Sequence, residues 1–156
     1  MKQFQSALIV LIIAAFVSCS AIFGEEFERI PINKISTSGN LHMGAARFDL
    51  QKGEEISLWA DFDVEYDGGL ELEYQIVIVV DEKDTLDMLA FDPFEANVTM
   101  NSKSITINRH HEYSAEAKLA TYEADETGSY EFNVVVFASR NPDEFTFNKG
   151  DLVFRK

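Results

Sequence analysis

Between residues 56 and 80 the chain alternates apolar and polar positions with a period of two. Ile56, Leu58, Ala60, Phe62, Val64 and Tyr66 alternate with Ser57, Trp59, Asp61, Asp63, Glu65 and Asp67. Leu70, Leu72, Tyr74, Ile76, Ile78 and Val80 alternate in the same way with Glu71, Glu73, Gln75, Val77, Val79 and Asp81. Successive side chains of a β-strand point to opposite faces, so each run predicts a strand buried on its even-numbered face. Asp67-Gly68-Gly69 lies between the runs and predicts a hairpin. Residues facing each other across a hairpin share a face, and both inward sets are even-numbered, so the loop must hold an odd number of residues. A three-residue loop Asp67-Gly68-Gly69 meets this condition, with Gly69 in the left-handed conformation. That register sets Tyr66 opposite Leu70 and Phe62 opposite Tyr74.

Six further strands are predicted, over residues 43–50, 84–91, 103–113, 115–123, 129–138 and 145–154, and a short edge strand is expected around Arg29 to Ile32. Turns are expected at Lys52-Gly53, Asp92-Pro93, Asp125 to Ser129, Asn141-Pro142 and Lys149-Gly150. No stretch sustains a helical period and no segment repeats. The expected fold is all-β, an antiparallel sandwich of seven or eight strands over residues 40–156.

Composition narrows the function classes. With 46% hydrophobic and 26% charged residues the chain is globular, which excludes wholesale disorder and a multi-pass membrane protein. An excess of 27 acidic over 13 basic residues gives a formal charge of -14, whose field repels nucleic-acid backbones and anionic headgroups. Cys19 is the only cysteine, so neither an intrachain disulfide nor a thiolate metal cluster can form.

Cys19 also closes the N-terminal segment. Ala7 to Val17 is an unbroken apolar run, too short for the roughly 20 residues of a membrane-spanning helix but suited to a signal-peptide core. Phe16-Val17-Ser18-Cys19 resembles the lipobox of bacterial lipoproteins, with Phe16 where Leu or Val is usual. The resemblance implies cleavage before Cys19 and a diacylglycerol on its thiol, hence a signal peptide over 1–18, a tether over 19–39 and a domain lipid-anchored to a membrane of the bacterial cell envelope, periplasmic or surface-exposed. An ordinary secretory signal cut after Ala21 and an uncleaved anchor are the alternatives.

Lys52-Gly53-Glu54-Glu55-Ile56-Ser57-Leu58, Gly68-Gly69-Leu70-Glu71-Leu72 and the run from Tyr122 to Phe132 with Gly128-Ser129-Tyr130 look like the β-sandwich modules called Golgi-dynamics, or GOLD, domains. This resemblance implies a jelly-roll or GOLD-like sandwich that works as a binding or packing module. The cysteine pair of that family is missing, and residues 92–101 are an extra stretch. Ile30-Pro31 and Asp84-Thr85-Leu86 are similar to steps in gliding-motility lipoproteins, and no functional residue is carried across from them.

Three constellations could carry chemistry. Asp61, Asp63, Glu65, Asp67, Glu71 and Glu73 crowd the predicted hairpin, whose register sets Glu65 opposite Glu71 and Asp63 opposite Glu73. Ca²⁺ would relieve that repulsion, and Asp63-x-Glu65-x-Asp67-Gly68 imitates an EF-hand opening, but Tyr74 stands where the bidentate Glu belongs. The bland alternative is a solvated acidic face that discourages edge-to-edge association. His110 and His111 are adjacent, so a strand points them to opposite faces, with His42 the remaining histidine. Trp59, Val77 and Val79 fall together on the outer face of the predicted hairpin, either as a partner surface or as a patch covered by the tether or another strand.

Catalysis lacks its parts: there is no Gly-x-Ser-x-Gly elbow and no phosphate-cradling glycine loop, and the paired acids have no predicted cleft. Asn97-Val98-Thr99 matches a glycosylation acceptor, which has meaning only in a eukaryotic secretory pathway. The expectation is a non-catalytic envelope lipoprotein, a binding or assembly module with an envelope protein partner and no bound cofactor beyond the lipid. The alternatives are a secreted calcium-dependent domain using residues 61–73, or a hydrolase.

Overall fold

A computed structural model describes residues 23–81, 84–138 and 145–156. Its strands are β1 (Glu26–Ile30), β2 (Met43–Leu50), β3 (Glu55–Asp67), β4 (Leu72–Val80), β5 (Asp84–Phe91), β6 (Thr99–Ile107), β7 (His110–Glu123), β8 (Gly128–Ala138) and β9 (Phe145–Arg155). They form two antiparallel sheets, β1-β9-β3-β7-β6 and β2-β8-β4-β5. The fold is the expected sandwich, with nine strands instead of seven or eight. The lipobox, Cys19 and the Asn141-Pro142 turn lie outside the described residues.

The alternation of residues 56–80 gives the core as expected: Ile56, Leu58, Phe62 and Val64 of β3 and Leu72, Tyr74, Ile76 and Ile78 of β4 are buried. The pairing is different. β3 pairs with β7 and β9, whereas β4 pairs with β5 and β8, so the two strands belong to opposite sheets and the hairpin does not form. Asp67-Gly68-Gly69 begins a crossover from one sheet to the other. Gly68, not Gly69, takes the left-handed conformation, at φ 88°.

Other boundaries move for local reasons. β6 and β7 join through Asn108-Arg109, since Ile107 pairs with His110, and Asn108 has φ 59°. The strand break expected at Ser114 is absent. β7 instead runs on through a register shift opposite Leu58/Trp59, where the extra residue is Leu119, so its inward positions change from Ala115 and Ala117 to Ala120 and Tyr122. At Asp92-Pro93 a single 3-10 turn forms, Pro93–Glu95, capped by the Asp92 carboxylate accepting from the Phe94 N–H at 2.8 Å. The first strand begins at Glu26, within the segment read as a tether, and Ile30 and Ile32 are already core. Tyr130 ties the β7–β8 corner by donating its hydroxyl to the Glu126 carbonyl at 2.7 Å, a device common in sandwiches.

Lys149-Gly150 is not a turn but part of β9, where the register shifts between Asp63 and Val64 of its partner. The shift brings the Phe147 ring over Gly150. A methyl group there would lie 1.9 Å from Phe147 Cζ, whereas one on Gly39 meets nothing within 4 Å. Gly150→Ala is therefore expected to cost about 2–3 kcal/mol by overpacking, and Gly39→Ala less than about 0.5 kcal/mol. Chemical denaturation of the two variants checks this, and equal losses would contradict it.

Candidate functional site

Odd-numbered residues of β3 line the outer face of the five-stranded sheet, which brings Trp59, Asp61, Asp63, Glu65 and Asp67 into one row. Glu71 precedes β4, and Glu73 lies on β4 opposite Phe137 in the other sheet. The six acids thus do not form one cluster, and the expected pairs Glu65–Glu71 and Asp63–Glu73 do not exist. Glu71 and Glu73 lie instead toward Asp92. Burial pushes the Asp92 carboxyl above its usual range, and the charges of Glu95, Glu71 and Glu73 add to that, against the Phe94 N–H.

Asp61, Asp63, Glu65 and Asp67 each meet a donor. Arg29, on β1, donates from Nη1 to Asp61 Oδ2 at 2.7 Å and to Asp151 Oδ2 at 2.8 Å. Its Nε and Nη2 hold Glu26 at 2.8 and 2.7 Å. Lys149 reaches the same Asp61 oxygen at 2.5 Å. Asp151 is buried, at 7% exposure, so its charge needs that guanidinium. Burial alone would raise the Asp61 carboxyl, but the hydrogen bonds from Arg29 and Lys149 outweigh it and hold the group below its usual value. The Asn148 amide bridges Asp63 and Glu65 at 3.1 and 3.0 Å. Asp67 meets His110 Nδ1 at 2.9 Å.

Lysine and arginine thus occupy the position a cation would need at Asp61. Among the described residues no group of three or more His, Cys, Asp and Glu is placed to hold a metal ion. His110 and His111 do separate: His110 joins Asp67, while His111 stacks on Tyr66 with ring centres 4.9 Å apart. The apolar surface proposed from Trp59, Val77 and Val79 also divides. Val77 and Val79 are half-buried on the four-stranded sheet, and Trp59 is 2% exposed on the other. Phe23 covers Trp59 edge-on at 6.0 Å, and the Arg155 guanidinium lies 5.1 Å from its ring centre, so the former tether segment and β9 hide it.

The sequence reading missed Arg29, Lys149 and Arg155. Arg29 is 122 residues from Asp151, and no local pattern links such distant positions. Only the scarcity of basic residues, 13 in the chain, marks each of them for notice.

Arg29→Ala is expected to lower stability by about 2–3 kcal/mol, because it strips a hydrogen-bonded cation from buried Asp151 and from Asp61. A loss under about 0.5 kcal/mol would show the network to be an ordinary surface pair. The Asp61 share of this stability is present at neutral pH and is lost as pH falls from the usual carboxylate value through the depressed one. Acid denaturation of the variant should therefore show a weaker dependence over that range.

His110 has the opposite sign. Its hydrogen bond with Asp67 raises it above the usual 6.5, so its contribution is complete below that value and disappears as pH rises through the higher one. A proton-resolved titration of the His110 ring should move toward 6.5 in Asp67→Asn. An unchanged midpoint would remove the pair as its cause.

Among the described residues no helix is long and apolar enough to cross a membrane. No family model matches the sequence, and no curated protein matches it. A structure of the infectious bursal disease virus Gt strain is similar to this chain at 12% identity and a TM-score of 0.39, covering 83% of this chain and 29% of that one. The chain thus spans less than a third of that protein's length.

Proposed function

We propose that the protein is a bacterial envelope lipoprotein, held by lipid on Cys19, whose sandwich is a non-catalytic binding or assembly module. The observation that carries this reading is the apolar run Ala7 to Val17, ending at Ser18 and the chain's single cysteine. Each buried CH₂ of the lipid contributes about 0.8 kcal/mol, so two or three acyl chains hold a protein stably. The geometry of the fold is compatible with a short leash. From Cys19 to the first residue of β1 the chain reaches at most about 25 Å, which keeps the sandwich at the membrane surface.

Exposed apolar side chains support the module role. Leu41 and Met43 are 63% and 65% exposed at the start of β2, which among the described residues is an edge strand hydrogen-bonded to β8. Surface of this kind suits an envelope protein as partner. A calcium-dependent role for residues 61–73, the alternative reading, would have to draw on the acids of β3 without Glu71 and Glu73, which lie toward Asp92.

The test is detergent-phase partitioning and intact mass of the full-length protein made in a bacterial host, beside Cys19→Ser. The wild type is expected in the detergent phase with added acyl mass, and the variant in the aqueous phase without it. Wild type and variant both aqueous and cut after Ala21 would replace the anchored module with a secreted one.

A further inference from the structure

The outer face of the five-stranded sheet carries a groove of about 560 Å³ at the end away from Asp63 and Glu65. Ser57 and Trp59 of β3, Lys118 and Thr121 of β7, and Arg155 and Lys156 at the end of β9 line it. Its cationic character is unexpected. Three of the chain's 13 basic residues meet here, with Glu55 as the one carboxylate in the lining. Arg155 is paired with Glu116 and Lys156 with Glu54, both outside the lining, whereas Lys118 makes no ion pair among the described residues.

Two donors in the groove's own residues have no acceptor. Trp59 Nε1 and Arg155 Nε are both buried without a hydrogen-bond partner among the described residues. An orphan N–H is costly, since it forfeits its hydration; the Arg155 guanidinium lies 5.1 Å from the Trp59 ring centre, and an oxygen-rich anion is the kind of ligand that accepts from N–H groups and from an ammonium alike. Ser57 and Thr121 add hydroxyls, which donate to the same kind of ligand. The overall charge of -14 opposes any anion at long range, but salt screens that field within about 8 Å, so at contact the nearby cations dominate.

We propose that this groove binds a phosphate group, with Lys118 and the Trp59–Arg155 pair as its receptors. Two sources share that chemistry: free phosphate, and the headgroup of an anionic phospholipid. The second rests on the lipid-anchor reading, because Phe23, which also lines the groove, is only four residues from Cys19. A tethered sandwich would then seat one headgroup beside its own anchor and present a fixed face to the membrane.

Trp59 is the only tryptophan, so its fluorescence reports the groove directly. The experiment titrates full-length Cys19→Ser protein with inorganic phosphate against chloride at matched ionic strength, and with phosphatidylglycerol vesicles against phosphatidylcholine vesicles, whose phosphate carries its own ammonium. A saturable change with phosphate and with phosphatidylglycerol is expected, weakened at least about tenfold in Lys118→Glu and in Lys118→Ala. Circular dichroism confirms that each variant is folded, and the two variants guard against a local misfold in either. A response to the vesicles alone assigns the ligand to the lipid, and a response to free phosphate alone assigns it to a soluble one. No response to either probe, or one that both Lys118 variants retain in full, overturns the proposal. Acyl mass on wild-type Cys19 is a separate readout, so the anchor and the groove can fail independently.

Discussion

The ladders of hydrogen bonds hold each sheet together, but the two sheets are held to each other by side chains, above all by aromatic rings. Phe154 of β9 meets Phe48 of β2 and Phe132 of β8, with ring centres 5.1 Å away in both cases, and Phe48 stacks on Phe132 at 5.2 Å. Phe27 extends the cluster from β1, and Tyr122 joins it from β7. Toward the other edge, Phe62, Phe94 and Tyr113 form a second group, which brings the 3-10 turn onto the core. A fully buried phenylalanine contributes about 2–3 kcal/mol and each good aromatic pair about 0.5–1.5 kcal/mol more. Every other feature of the fold presupposes that interface, because a sheet displaced by one residue would turn these rings toward water.

That dependence explains what could be read in advance. Period-two alternation states which side chains are inside, and for residues 56–80 it did so correctly. It does not state which strand lies beside which. A hairpin and a crossover between two facing sheets place the same even-numbered residues in the core, so β3 and β4 look like hairpin partners in sequence while lying in opposite layers. The acidic cluster and the Trp59, Val77, Val79 patch were both built on that pairing, and both dissolve with it. β7 shows a second limit: the pattern predicts a boundary at Ser114, where the strand is continuous, whereas the bulge at Leu119, which reverses the alternation, falls inside the strand expected over 115–123.

The polar outer face was less legible because its logic is non-local. Arg29 is meaningful only when β1, β9 and β3 are adjacent, for its guanidinium then touches carboxylates from all three strands. Buried Asp151 would be unfavourable on its own, and the network gives the short strand β1 a specific seat on the sheet. An acidic composition therefore does not translate into a uniformly acidic surface. On this sheet Asp61, Asp63, Glu65 and Asp67 are held by Arg29, Lys149, Asn148 and His110, while a cationic recess lies beyond them.

The pairing of the first and last strands has a topological consequence. Glu25 and Lys156 exchange both of their backbone hydrogen bonds, at 2.7 and 3.0 Å, so the described chain leaves and returns to one point on the molecule. The path from Gly24 to Lys156 is close to a ring in space, and a few linking residues would close it. The order in which the nine strands are synthesised is then separable from the arrangement they reach: new ends opened at a surface turn such as Lys52-Gly53 would leave every inter-strand ladder intact. Anything joined beyond Lys156 would share its point of departure with the N-terminal segment, and so would sit on the same side of the sandwich.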